Sequence, residues 1–73
     1  MDLRRLIGQN VRMCRTRLGI SQEELAFRAD LHRTYVSGVE RGVRNPTVLI
    51  VGRFAKALEV EPPALLAAKH ARK

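Results

Sequence analysis

The sequence predicts an all-α protein, a compact five-helix bundle, on three observations. Leu3, Ile7, Val11, Cys14 and Leu18 recur at steps of four, four, three and four, the spacing of one helix face. Helix start and stop signals at Gly19, Ser21, Gly42 and Thr47 cut the chain into helix-sized pieces. No segment alternates apolar and polar residues with the period of a strand.

The first helix carries that stripe, with Arg4, Arg5, Arg12, Arg15 and Arg17 on its other faces. Gly19 ends it, because glycine adopts positive φ without a Cβ clash. Ser21-Gln22-Glu23-Glu24 reads as a capping box, an N-cap serine with a glutamate three residues on. The second helix is expected from Gln22 to Arg28, with Leu25, Ala26 and Ala29 inward. Asp30, which tolerates the left-handed conformation, breaks the pattern. The third helix follows from His32 to Arg41, with Val36 and Val39 inward, Leu31 stapling the turn and Gly42 closing the helix. Asn45-Pro46 marks a loop. Thr47 caps a fourth helix reaching Leu58, whose expected apolar face is Val48, Val51, Phe54, Ala55 and Leu58. Glu61-Pro62-Pro63 opens a short fifth helix anchored by Leu65 and Leu66, since proline fits a first helical turn.

The chain has 73 residues, enough for one domain over residues 1–66 and a basic C-terminal tail over 67–73. A domain this small buries only roughly 60% of its unfolded surface, so association with a second copy would add useful apolar area. Lys plus Arg number 14 against 7 Asp plus Glu, and the net charge of +7 points to a polyanionic partner. Cys14 is the single cysteine, read as a small core hydrophobe in a reducing, cytoplasmic setting. No metal-ligand spacing, paired carboxylates, Cys/His dyad or phosphate-cradling glycine loop is present, so neither a metal, a cofactor nor an enzyme is expected. No apolar run reaches membrane-spanning length and no signal-peptide stretch follows Met1. A membrane-surface role is disfavoured too, because the apolar stripes of several helices belong to one core.

Two short helices joined by a tight turn inside a bundle form a helix-turn-helix unit, here Gln22 to Arg41. Its demands are met by small Ala26, by Asp30 at the turn, and by Leu31, Val36 and Val39 beneath the second helix of the unit. The stretches Leu18-Gly19-Ile20-Ser21-Gln22-Glu23-Glu24-Leu25-Ala26 and Val36-Ser37-Gly38-Val39-Glu40-Arg41-Gly42 resemble the phage-repressor and Cro-type (Xre) helix-turn-helix domains. Asn45-Pro46-Thr47 and Phe54-Ala55-Lys56-Ala57-Leu58-Glu59-Val60 continue the resemblance, which spans about Ile7 to Leu66. Within that family, His32 to Arg41 resembles the recognition helix of restriction–modification controller proteins. The resemblance implies a lambda-repressor-like bundle, a sequence-specific transcription regulator, and an ion pair between Arg15 and Glu40. Two positions depart from the pattern. Asp30 stands where glycine is frequent, and Gly38 stands where some members carry a base-reading side chain, leaving an expected gap in the reading surface.

In this geometry the third helix enters the major groove of double-stranded DNA and the second crosses the backbone. Arg33, Thr34, Ser37, Gly38 and Arg41 fall opposite Val36 and Val39. Arg33 can bond guanine O6 and N7 together, and Thr34, Tyr35 and Ser37 complete the candidate base-reading set. Tyr35 has the alternative of packing against the second helix. Gln22 begins a helix N-terminus that attracts phosphate, and the resemblance implies the same role for its side chain; Arg17, Arg41, Arg44 and Asn45 are further candidate backbone contacts. Arg17 equally fits a solvated face. His32 is a candidate cap or phosphate neighbour, while His70 in the tail carries no assignment. Glu23 is either a charge favouring the helix N-terminus or, as the resemblance implies, a contact for RNA polymerase.

One reading helix spans few base pairs, whereas two related by a two-fold axis read a palindrome. Leu49, Ile50, Arg53 and Leu66 are the candidate homodimer interface, with deeper burial in one chain as the alternative. A competing function is an antitoxin-like domain whose main partner is a protein. The short stretch after the fifth helix disfavours it, because no separate partner-binding segment is visible.

Overall fold

The computed structural model describes residues 2–68, and only Ala67 and Ala68 of the expected basic tail fall within it. Four α-helices form: α1 (Leu3–Leu18), α2 (Gln22–Ala29), α3 (Arg33–Glu40) and α4 (Val48–Leu58). The expected fifth helix is instead a 3-10 segment, η1 (Pro62–Leu66). Pro62 and Pro63 bring no N–H to a ladder, and Ala64 N bonds Glu61 O three residues back at 2.9 Å. Two further carbonyls are already taken. Asn10 Nδ2 donates to Leu65 O at 3.0 Å and Ala67 O at 2.9 Å, and the chain leaves η1 extended at Ala67.

Local chemistry sets each helix end. Asp2 and Thr47 cap α1 and α4 by accepting from the backbone N–H of Arg4 and Ile50. Ser21 Oγ accepts from Glu24 N at 2.9 Å, but the reciprocal half of the expected capping box does not form. The Glu24 carboxylate turns forward to Arg28 Nε at 2.9 Å, one helical turn on, where it meets a full positive charge. His32 is the N-cap of α3 without a side-chain capping bond. Helices α1, α2 and α4 all end on a left-handed residue: Gly19, Asp30 and Glu59.

Val11, Leu25, Val36, Val39, Phe54 and Leu65 are fully enclosed, drawn from every element. Each side chain so buried contributes about 1.5–3 kcal/mol before entropy is counted. Leu65 fastens η1 to this core, beside the Asn10 clamp. The sequence reading gave Asn10 no role, yet it is buried, and its Oδ1 has no partner among the described residues.

Helix α1 crosses the end of α3 at Gly8, where a Cβ would overlap the carbonyl oxygens of Val39 and Glu40. On α4 the expected inward face starts one turn late. Val51, Phe54, Ala55, Ala57 and Leu58 are buried, whereas Val48 is 87% exposed because the core begins beneath Val51. Leu3, the first member of the α1 stripe, overhangs the core in the same way. No helix among the described residues is long and apolar enough to cross a membrane.

Candidate nucleic-acid interface

The helix-turn-helix unit is built on the α2 C-terminus. Asp30 adopts φ 58° and ψ 49°, letting its own N–H reach Phe27 O at 3.3 Å and Leu31 N reach Ala26 O at 2.9 Å. This pair of bonds closes α2 and turns the chain within the span to His32, the N-cap of α3. The frequent glycine of the family pattern is therefore replaced by an aspartate holding the same backbone conformation.

Helix α3 then divides by face. Val36 and Val39 are buried, while Arg33, Thr34 and Arg41 are exposed and Ser37 is half-buried. Tyr35 sits at the boundary, its ring packed on the edge of the core. The expected gap at Gly38 is closed. Arg44 lies across it, so that a Cβ on Gly38 would fall 2.5 Å from Arg44 Cγ. The same arginine holds its guanidinium carbon 6.0 Å from the centre of the Tyr35 ring, a cation–π distance. Backbone bonds from Val43 N and Arg44 N to Gly38 O, at 3.0 and 3.3 Å, fold the loop back to place it there. Sequence spacing carries no signal for this, because the approach depends on how the loop after Gly42 turns.

A polar knot lies behind this face. Arg15 Nε donates to Glu40 Oε2 at 2.6 Å and Nη2 to Oε1 at 3.1 Å, while Nη1 donates to Ile20 O at 2.9 Å. Gln22 Nε2 also donates to Glu40 Oε1 at 3.0 Å. The Gln22 amide nitrogen is thus committed to Glu40, a contact the sequence did not disclose, and the N-terminal end of α2 is left to its backbone N–H groups. The hydrogen bond to Glu40, opposed by partial burial and helped by the carboxylate charge, holds the Arg15 guanidinium above its usual range.

The remaining candidates distribute over the surface. Arg17, Glu23, Arg44 and Asn45 are exposed. Leu49 is 80% exposed and Leu66 about half, but Ile50 is half-buried against the core, as the deeper-burial alternative has it. The Arg53 guanidinium is engaged within its own chain, donating to Ala29 O at 3.1 Å and Asp30 O at 2.6 Å. Phe27, which sequence reasoning passed over, stands 82% exposed on α2. Cys14 is buried, and no cluster of His, Cys, Asp and Glu able to hold a metal ion occurs among the described residues.

Residues 11–65 match the helix-turn-helix family. The chain is 48% identical over 66 residues to the control protein C.BamHI of Bacillus amyloliquefaciens, spanning 89% of this chain and 82% of that one. The crystal structure of the restriction-modification controller protein C.AhdI from Aeromonas hydrophila superposes with a TM-score of 0.82 at 47% identity, over 85% of this chain and 94% of the other. The controller protein C.Esp1396I, solved as a tetramer on its natural 35 base-pair operator, gives a TM-score of 0.82 at 34% identity over 89% and 86% of the two chains.

Proposed function

The chain belongs to the helix-turn-helix family, and we propose on that premise that it is a sequence-specific DNA-binding transcription regulator of the restriction–modification controller type, acting as a homodimer on a palindromic operator. The observation that carries this reading is the division of α3, with Arg33 and Thr34 exposed opposite the enclosed Val36 and Val39. A rigid rod with an apolar back and an arginine on its front is what direct readout in the major groove requires.

The roles follow from position. Arg33, Thr34, Tyr35 and Ser37 read base edges, with the Tyr35 ring also steadying Arg44. Arg17, Arg41, Arg44, Asn45 and the N-terminal end of α2 hold phosphates and set the register. The net charge of +7 supplies the salt-dependent attraction common to all sequences. Leu49 and Leu66, with the exposed Val48 next to Leu49, present apolar surface for the second copy. Glu23, exposed in the first turn of α2, favours that helix end by its charge and is the position proposed for any contact with RNA polymerase.

Selection from a randomised duplex library tests the reading. The expected product is a two-fold palindrome whose half-sites repeat at about 34–36 Å or a multiple of it. Recovery of duplexes without a common sequence would overturn it.

A further inference from the structure

We infer that Arg53 is a positioning residue that fixes the reading helix α3 relative to α4, and so sets the half-site spacing that the dimer accepts. The inference rests on the dimer reading above, in which α4 lies against the two-fold axis.

Helix α3 packs chiefly on α1 and α2, whereas α4 packs on α1, α2 and η1. Between α3 and α4 lies an open cleft lined by Asp30, Leu31, His32, Tyr35 and Ile50. The helix nearest the symmetry axis and the helix nearest the bases therefore have little direct packing to hold them in register.

Arg53 reaches from α4 to the C-terminal end of α2, at the turn that leads into α3. Its Nε donates to Ala29 O at 3.1 Å and its Nη2 to Asp30 O at 2.6 Å, with the Asp30 carboxylate 3.5 Å away. Both carbonyls belong to the C-terminal end of α2, where backbone dipoles favour a cation. Two donors of one planar fork on successive carbonyls fix direction as well as distance, which a flexible ammonium does not. After Asp30 the chain needs only Leu31 and His32 to reach Arg33. The strut thus ends within one helical turn of the residues proposed to read bases.

Two-fold symmetry doubles any error. If α3 shifts along the DNA axis by about 1.7 Å in each protomer, the two reading helices separate by about 3.4 Å, one base-pair step. A strut that suppresses such a shift makes the dimer intolerant of a one-base-pair change between half-sites.

The test uses a duplex selected by the wild-type protein, derivatives with the centre lengthened or shortened by one base pair, and a duplex carrying one half-site. Arg53→Met should still sediment as a dimer and bind the single half-site within about twofold of wild type. Its affinity for the selected duplex should fall about tenfold, the scale of one lost hydrogen bond to a charged group, and its preference for the native spacing should shrink by the same factor. Arg53→Lys, which keeps the charge on a single nitrogen without the planar fork, should fall between; it carries the same test if methionine lowers fold stability. Equal losses on the full and single sites would mark Arg53 as merely structural and overturn the inference. So would an unchanged spacing preference in Arg53→Met. A wild-type protein without spacing preference would instead remove the dimer reading, and this inference with it.

Discussion

Arg15 and Glu40 meet at two points, Nε to Oε2 at 2.6 Å and Nη2 to Oε1 at 3.1 Å, tying α1 to the last residue of α3. Their side chains are 14% and 4% exposed, so neither has water as a ready substitute for its partner. Glu40→Ala or Arg15→Ala should each destabilise the fold by about 3–5 kcal/mol, because each strands a buried charge. The double variant should lose much less than the sum of the two, and additive losses in denaturant melts would refute the coupling. The pH dependence has a definite sign. A cation whose pKa is raised by folding contributes stability fully below its unfolded pKa and loses it only as the pH climbs through the folded value. The arginine's part in the coupling should therefore stay flat from neutrality to about pH 10, well below where a guanidinium titrates.

Gly8 is required by contact rather than by conformation. A Cβ there would stand 2.9 Å from Glu40 O and nearer still to Val39 O, both backbone atoms at the end of α3. Gly8→Ala should destabilise by about 1–3 kcal/mol through overpacking, although alanine favours a helix by about 1 kcal/mol. Thermal melting should show a lowered midpoint; a raised one would mean that α1 can move away from α3.

Arg33 and Arg44 should separate in binding assays. Arg33→Ala is expected to weaken the selected duplex by about 1–3 kcal/mol and random DNA far less, since it removes a base contact. Arg44→Ala should weaken both about equally and lower the salt slope by about one. Titrations of both variants at several salt concentrations check this, and matching losses on the two kinds of DNA would withdraw Arg33 from base reading.

Leu49→Asp should shift the sedimentation coefficient towards the monomer while leaving the helical circular-dichroism spectrum unchanged. Leu49 is 80% exposed, so a charge there disturbs only an external surface, whereas Ile50 packs on the core and a charge there would test folding instead. An unaltered coefficient would free Leu49 from the dimer interface.

Much of the architecture was legible in the chain because its signals are local. The α1 stripe, the left-handed Gly19, the Ser21 cap and the Asp30 turn each depend on residues within a few positions, so spacing places four helices and the turn between α2 and α3. The outward set Arg33, Thr34 and Arg41 follows from the period of α3 once Val36 and Val39 are taken as its back. Tertiary contact decided the rest. Asn10 claims the carbonyls of Leu65 and Ala67 and limits the fifth helix to a 3-10 segment. Arg44 covers Gly38, Gln22 joins Glu40, and Arg53 binds the carbonyls at the end of α2. Each of these is a long side chain or an amide settling on a neighbour outside its own helical turn. Helical period tells which side of its own rod such a group leaves, but only the packed neighbours tell where it ends.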